Sequence, residues 1–345
     1  MTDPNLTIGT SRGFEDAQRK PVNLHRPTLV EIDHSLSLTA IRPSMPATDL
    51  AVWLADNREM VQAYLYKHGA LLLRGFELNS KEDFERVFDS VSTARMNYME
   101  GATPRKELGD RIYTSTSFPS EQRIALHNEL SYVVTWPMRI CFCCLRPADD
   151  GGETPVADTR HVLQHIDREI LNEFEKRGWM LVRNFREGLS LPWQTAFRVS
   201  KKEDLEDYCR SARINCEWLA EGGLRTKQIR PAVTRHPKTD EPVWFNHIAF
   251  WHVSSLESST RDLLLEEFGE DALPYNTYYG DGERIEEAVI QHLQQAYDRE
   301  TVLFSWRAGD VLLLDNMLSA HGRQPFKGHR TVLVAMGDPF TRTDL

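Results

Sequence analysis

Apolar residues recur at helical and strand spacings along the chain, and these spacings predict its elements. Thr48 suits a helix N-cap, and apolar residues then lie three and four positions apart until Gly69. The apolar run at 70–76 predicts a buried strand. Ser80 followed by Asp83 resembles a capping box, which favours the start of another helix. The pattern therefore predicts helix, strand and helix in this part of the chain.

Beyond residue 120 the pattern alternates between strands and helices. Strand-like runs lie at 123–134, 138–145, 178–185, 229–237, 242–253, 308–316 and 330–338. Helical spacing occurs at 158–178, 199–222 and 283–298. Helices before and between short strands predict an α+β fold built round a β-sandwich or jelly roll, with flanking and inserted helices. We expect a mobile N-terminal segment at 1–25 and one domain at 26–345, with a helical insert at about 157–225.

Composition and charge indicate which kinds of molecule the protein does not bind. The chain has 345 residues with 41 Lys and Arg against 51 Asp and Glu, which gives a net charge of −10. An acidic chain argues against nucleic-acid binding and against docking on an anionic membrane. The N-terminus lacks the apolar region of a signal peptide, and no run approaches the ~18 apolar residues of a membrane span. We predict a cytoplasmic protein.

Three of the five cysteines cluster in the run RICFCCL, which invites a metal-binding interpretation. The run has the character of a buried strand, in which alternate side chains face opposite ways. Cys141 and Cys143 would then share one face and Cys144 the other. Because unpaired cysteine behaves as a small buried hydrophobic residue, we favour a structural role.

Two histidines and one glutamate carry the candidate chemistry. His127 and Glu129 lie two positions apart in a strand-like run, so both side chains can reach one metal ion. His321 follows a second apolar strand. Two histidines and a carboxylate are the ligands of the facial triad, which holds non-haem Fe(II) with open positions. Zinc accepts the same ligands, so a zinc hydrolase remains an alternative, as does a non-enzymatic jelly-roll binding protein.

An arginine and a threonine accompany the proposed ligands. Arg330 lies nine residues after His321 in apolar strand sequence. Its guanidinium suits a carboxylate, either that of a dicarboxylate co-substrate or that of a protein side chain. Thr154 follows a turn-forming pair of glycines, 27 residues after His127. A zinc hydrolase gives Arg330 no evident role, and a binding protein that had lost catalysis would be expected to have a broken triad.

Three motifs in order carry a family resemblance. HNELSY, GGETPVADTR and GDVLLLDN with AHGRQPFKGHRTVLVAM resemble the taurine dioxygenase-like (TauD/TfdA) family of Fe(II)/2-oxoglutarate dioxygenases over about residues 40–340. The branch it resembles includes the syringomycin aspartate hydroxylase and is close to clavaminate synthase. The resemblance implies a double-stranded β-helix (jelly-roll) core. It implies Fe(II) on His127, Glu129 and His321, with O2 as a co-substrate. It also implies Arg330 and Thr154 on the distal carboxylate of 2-oxoglutarate.

Two departures from the founding taurine enzyme refine the expected reaction. That enzyme has aspartate where this chain has Glu129, and it has a sulfonate-binding arginine where this chain has Val334. The valine argues against taurine as the substrate. Related iron halogenases replace the carboxylate ligand by a small residue, so Glu129 predicts oxygenation. We expect hydroxylation of an unactivated C–H bond, with desaturation and epoxidation as alternatives.

The resemblance also suggests a substrate class. We expect an amino acid or amino-acid derivative of specialised or antibiotic metabolism, either free or tethered to a peptidyl carrier protein. Arg323 is a candidate for a substrate carboxylate or an acidic neighbour, and Asn128 for the pocket or for anchoring its loop. Ser115, Thr116 and Asn246 are candidate substrate contacts by family placement only. An aromatic cluster favours core packing over a binding cage: Trp244, Phe245, Phe250 and Trp251.

Overall fold

The structure is a computed structural model. It describes residues 28–31, 38–44, 48–97, 99–101, 108–109, 111–114, 118–188 and 190–342. The N-terminal segment at 1–25 and the candidate residues Ser115 and Thr116 lie outside the described residues.

Eighteen strands and ten α-helices are found in the described residues. The strands are β1 (Thr28–Glu31), β2 (Thr39–Arg42), β3 (Ala70–Leu73), β4 (Ile112–Thr114), β5 (Ile124–His127), β6 (Thr135–Arg146), β7 (Asp150–Gly151), β8 (Val156–Asp158), β9 (Trp179–Phe185), β10 (Ile214–Trp218), β11 (Leu224–Arg230), β12 (Val233–Arg235), β13 (Pro242–Trp244), β14 (Tyr275–Tyr279), β15 (Val311–Asp315), β16 (Ser319–Arg323), β17 (Phe326–Lys327) and β18 (Thr331–Thr341). The helices are α1 (Leu50–Asp56), α2 (Arg58–His68), α3 (Lys81–Val91), α4 (Thr159–Gln164), α5 (Arg168–Arg177), α6 (Trp193–Phe197), α7 (Lys202–Ser211), α8 (Ile248–Trp251), α9 (Ser258–Phe268) and α10 (Glu287–Glu300).

The strands form one large sheet and several smaller ones, which confirms the α+β class. The seven-stranded sheet has the order β1-β2-β3-β15-β6-β18-β4, and β2 and β3 are its parallel pair. A three-stranded sheet, β5-β16-β8, and a two-stranded sheet, β17-β7, each pair strands from the middle of the chain with a strand near its end. A four-stranded sheet, β10-β11-β9-β14, is built mainly from the segment between the two metal-ligand motifs.

The cysteine-rich strand lies in the centre of the large sheet, where apolar side chains cover both of its faces. Cys141 and Cys143 pack with one hydrophobic cluster and Cys144 with another, so the predicted alternation is confirmed. Burial raises the pKa of the Cys144 thiol to about 12, which keeps it protonated at neutral pH. These three cysteines are therefore packing residues.

The predicted start of α3 is confirmed, because Ser80 caps this helix. Ser80 Oγ accepts a hydrogen bond from Asp83 N at 3.1 Å, as a capping box requires. The helix expected to begin at Thr48 is capped by Asp49 instead, and it breaks at Asn57 before ending at Gly69.

The segment at 157–225 contains helices α4 to α7 and also strands β9 and β10. The prediction of helix over 199–222 is wrong at Ile214–Trp218, which pairs with β11 as an antiparallel strand. In this strand buried or half-buried Ile214, Cys216 and Trp218 alternate with exposed residues, a spacing of two that favours a strand. In the part of the chain that the structure describes, no helix is long and apolar enough to cross a membrane.

Candidate metal centre and substrate cavity

Two adjacent strands bring the proposed metal ligands together. His127 ends β5 and lies directly opposite His321 of β16 in the antiparallel pairing. Glu129 follows two residues later in the turn. One ligand atom from each of the three side chains lies within 4.8 Å of the others, and the chain's described residues form no other such group. Glu129 and His321 are 5% and 4% exposed, so water has little access to the carboxylate and the second imidazole.

The turn that carries Glu129 is held by the side chain of Asn316. Asn316 Oδ1 accepts from Glu129 N at 2.8 Å, and its Nδ2 donates to Glu129 O at 2.8 Å and to Pro137 O at 2.9 Å. Leu130 adopts a φ of 55°, a left-handed conformation that turns the chain sharply after the ligand. Asn316 thus fixes the backbone on both sides of Glu129. The sequence pattern placed Asn316 at a strand end but gave it no role.

The tautomer of His127 follows from its backbone contact. Its Nδ1 lies 2.9 Å from Ala125 O. A carbonyl oxygen only accepts, so Nδ1 must carry the proton and Nε2 keeps its lone pair. A hydrogen bond of this kind is the usual way in which proteins orient a metal-binding imidazole.

A second polar group lies around Arg330 and Thr154. Arg330 Nε donates to Gly152 O at 3.0 Å. Gly152 has a φ of 74°, which favours glycine, and a Cβ there would lie 3.0 Å from Arg330 Cδ, a tight contact. Thr154 Oγ1 accepts from Trp306 Nε1 at 3.1 Å. Trp306 is a residue that sequence reasoning missed, because only the fold brings it to Thr154.

Burial also affects the pKa of the Arg330 guanidinium. Desolvation, together with the charge of nearby Arg323, lowers the pKa of Arg330 to about 10. The guanidinium stays charged at neutral pH. A buried cation of this kind favours an anionic ligand, because an anion offsets its desolvation.

The other predicted substrate residues make hydrogen bonds within the protein. Arg323 donates through Nη1 and Nη2 to the carbonyls of Phe118, Pro119 and Gln122. Asn128 Nδ2 donates to Asn316 O at 2.6 Å. Asn246 Nδ2 donates to Ala232 O at 3.0 Å, and its Oδ1 accepts from Ile248 N at 3.0 Å. These bonds hold loops near the site, and a direct substrate contact for any of the three stays a prediction.

A cavity of about 410 Å³ opens beside the proposed ligands. His127 and Glu129 belong to its lining together with residues of α8 and α10: Ala249, Phe250, Trp251, Gln294, Tyr297 and Asp298. Trp244 and Phe245 are fully buried in the core, as predicted. Trp251 is 4% exposed and packs in the core, and Phe250 packs against this core, but both residues also line the cavity.

His247 also lines the cavity, and sequence reasoning missed it. Its Nδ1 lies 2.6 Å from Ser131 Oγ. Four rings surround it, with centroids between 4.6 and 5.6 Å away: Trp251, Tyr132, Phe250 and His127. Burial lowers the pKa of His247 well below its usual value, and His127 and Arg183 lower it further. The imidazole is therefore neutral, and its surroundings make this wall of the cavity aromatic and uncharged.

Comparison with known proteins gives consistent matches over most of the chain. Residues 36–336 match the family described as Taurine catabolism dioxygenase TauD, TfdA family. The chain is 41% identical over 279 residues to the dapdiamide synthesis protein DdaC of Enterobacter agglomerans, covering 81% of this chain and 85% of that protein. It is 27% identical over 305 residues to a clavaminate synthase-like protein of Arabidopsis thaliana, covering 85% and 89%.

A solved structure shows the same overall fold. The structure of a taurine dioxygenase from Burkholderia xenovorans matches with a TM-score of 0.53 at 13% sequence identity. The match covers 91% of this chain and 91% of that chain. At this identity the likeness concerns the fold alone.

Proposed function

Because the chain belongs to the taurine catabolism dioxygenase TauD, TfdA family, we propose that it hydroxylates an unactivated C–H bond of an amino acid or amino-acid derivative. The chain is a 2-oxoglutarate-dependent dioxygenase that uses Fe(II), 2-oxoglutarate and O2. The names of two relatives, a dapdiamide synthesis protein and a clavaminate synthase-like protein, support a substrate of specialised metabolism. The substrate is either free or tethered to a peptidyl carrier protein.

The observation that carries the site assignment is the convergence of His127, Glu129 and His321 within 4.8 Å. Two imidazoles and one carboxylate fit Fe(II) and leave coordination positions for other ligands. The proton on His127 Nδ1 leaves Nε2 for the metal. When bound, the iron with 2-oxoglutarate and O2 supplies the oxidising power for the C–H bond, and 2-oxoglutarate leaves as succinate and CO2.

Arg330 and Thr154 are proposed to hold the distal carboxylate of 2-oxoglutarate. A planar guanidinium binds a carboxylate through two parallel hydrogen bonds. Gly152 O accepts from Arg330 Nε and thereby fixes the direction of the guanidinium. Trp306 donates to Thr154 Oγ1, so the threonine proton remains available to the carboxylate. Both anchors position the co-substrate before the reaction begins.

The proposed fold of the core is a double-stranded β-helix, or jelly roll. This architecture is supported by the family and by the pairing of β5 with β16, two strands far apart in sequence that carry the histidines. In such a core, ligands from distant segments lie on neighbouring strands.

Two residues bear on the type of reaction. Glu129 occupies the carboxylate position that a halogenase would leave for chloride, so oxygenation is the expected outcome. Val334 is buried in β18, 1% exposed, and offers no cation to a sulfonate. The proposed order of preference is hydroxylation, with desaturation and epoxidation as alternatives that depend on where the substrate lies.

The test is anaerobic absorption spectroscopy of the metal-free protein titrated with Fe(II) and 2-oxoglutarate. A weak visible charge-transfer band that requires both components is expected. Glu129→Ala and Arg330→Ala are each expected to abolish or weaken the band, whereas exposed Glu121→Ala should leave it unchanged as a control. No band with the unmodified chain, or an unchanged band in both site variants, would refute the assignment.

A further inference from the structure

Charged side chains are rare in the lining of the cavity. Besides two histidines, three of its lining residues in the described part of the chain are acidic or basic: Arg123, Glu129 and Asp298. Glu129 is the proposed metal ligand. Arg123 and Asp298 are therefore the remaining charges that a substrate in the cavity can contact. The other lining residues are aromatic, aliphatic or neutral polar.

Arg123 and Asp298 already face each other, but their contact is weak. Arg123 Nη2 lies 3.5 Å from Asp298 Oδ1, the upper limit for a hydrogen bond. The two side chains are 46% and 60% exposed. Exposed ion pairs of this kind contribute little to stability. A ligand that offers each residue a better partner can therefore separate them at small cost.

We infer that Arg123 and Asp298 form a clamp for the α-carboxylate and α-ammonium groups of a free amino acid. The inference rests on the proposed function, which it deepens by choosing the free over the carrier-tethered substrate. A free α-amino acid carries one anion and one cation on the same carbon. The clamp offers one cation and one anion side by side, and a tethered aminoacyl group would leave Arg123 without its carboxylate.

Both members of the clamp are held by elements that also form the cavity wall. Arg123 directly precedes β5, which ends at His127. Asp298 lies on α10 with Gln294 and Tyr297, which are four positions and one position earlier and also line the cavity. Gln294 Nε2 donates to Ser255 Oγ at 2.9 Å and so ties this helix to another residue of the cavity lining.

The clamp predicts which end of the amino acid is oxidised. Arg123 and Asp298 are exposed, whereas Glu129 is 5% exposed. Four residues of strand span at most about 13 Å, which limits the distance between the Cα atoms of Arg123 and His127. With its charged head at the exposed pair, the amino acid extends its side chain along the cavity lined by Phe250 and Trp251 towards the proposed metal ligands. The oxidised carbon is then in the side chain.

The test measures amino-acid binding by the full chain loaded with Fe(II) and 2-oxoglutarate under anaerobic conditions. The probes are the free L-amino acids, their C-terminal amides and their N-acetyl derivatives. Binding is followed by tryptophan fluorescence, since Trp251 lines the cavity, and by calorimetry. We expect at least one free amino acid to bind and its amide and N-acetyl forms to bind about 10- to 100-fold more weakly, as for the loss of a charged hydrogen bond.

The variants separate the two halves of the clamp. Arg123→Gln should weaken binding of the free acid about 10-fold or more without affecting the amide. Asp298→Asn should weaken the free acid similarly without affecting the N-acetyl form. Arg210→Gln and Asp207→Asn are matched controls, because they alter another exposed pair, at 2.8 Å on α7, which does not line the cavity.

Three outcomes would overturn the clamp. They are free-acid affinities within twofold of the unmodified chain in both variants, no binding by any free amino acid, and binding only by aminoacyl thioesters on a carrier protein. Failure of the proposed function is distinguishable, because it would appear as a missing Fe(II)/2-oxoglutarate band before any amino acid is added. Fluorescence and calorimetry measure amino-acid binding directly, so their result does not depend on turnover.

Discussion

Replacement of Asn316 by leucine should release the turn that carries Glu129. Asn316 is fully buried, and its amide makes three hydrogen bonds between 2.8 and 2.9 Å to the backbone of Glu129 and Pro137. Leucine has a similar volume but no polar atoms, so one N–H and two carbonyls would remain buried without these partners. Each such group costs about 1–3 kcal/mol. Because leucine also removes the buried amide itself, we expect the lower part of the summed range, about 3–5 kcal/mol.

The same substitution should weaken metal binding, because groups that orient a ligand typically contribute 10- to 100-fold in affinity. Metal affinity is measured by competition with a chelator, and the free energy of unfolding by urea denaturation. Asn184→Leu is the matched control. Asn184 is also buried, and its side chain makes three hydrogen bonds, to Asp271, Leu273 and Arg225, away from the metal ligands.

The control should lose a comparable free energy of unfolding but keep its metal affinity. The reasoning would be wrong if Asn316→Leu lost less than about 1 kcal/mol and bound metal within twofold of the unmodified chain. It would also be wrong if both variants lost metal affinity equally, since the effect would then reflect global stability alone.

Three further substitutions test the co-substrate site and a buried carboxyl. Gly152→Ala should raise the KM for 2-oxoglutarate about 10-fold without changing Fe(II) affinity, because the added Cβ meets Arg330 Cδ at 3.0 Å; unchanged kinetics would contradict the assignment. Trp306→Phe should raise the KM for 2-oxoglutarate by about 3- to 10-fold, because it removes the hydrogen bond to Thr154. It should raise this KM little further in a chain that already carries Thr154→Val, because that substitution removes the same hydrogen bond. Burial raises the pKa of Glu100, so the fold gains stability from its neutral form below about pH 4.5 and loses it as pH rises. Glu100→Gln should therefore reduce the fall in the free energy of unfolding as pH rises above about 4.5, measured by urea denaturation; an unchanged slope would show that Glu100 is not the titrating group.

The chemistry of the ligands could be predicted from sequence because it depends on residue type and order. His127, Glu129 and His321 were identified as a set before their contact was known, and the structure brings them within 4.8 Å. The strand at Cys141–Cys144 was predicted because alternation and burial act locally. The strand prediction thus rests on neighbouring residues, whereas the ligand set was predicted from residue types and from the order of separate motifs.

The remaining features depend on contacts between distant segments. Asn316 meets Glu129 across 187 positions, and Trp306 meets Thr154 across 152. Neither residue type nor spacing reveals such a partner. The strand Ile214–Trp218 was missed because its polar composition masked the period of two, which pairing with β11 then stabilises. The cavity position of Phe250 was missed because an aromatic residue looks the same in a core and in a pocket wall.

Strands and helices support different parts of the site. The strands position the proposed metal ligands, and the helices contribute side chains that a substrate can contact. The proposed metal ligands lie on or beside β5 and β16, whose register fixes the two histidines against one another, and Arg330 directly precedes β18. About a third of the cavity lining comes from α8 and α10, which contribute none of the proposed metal or co-substrate contacts. A change in either helix can alter the substrate without disturbing the strands. Recognition residues such as Asp298 are therefore expected to vary among enzymes that keep the same oxidative chemistry. Residues that line a cavity can change while the shared fold stays the same.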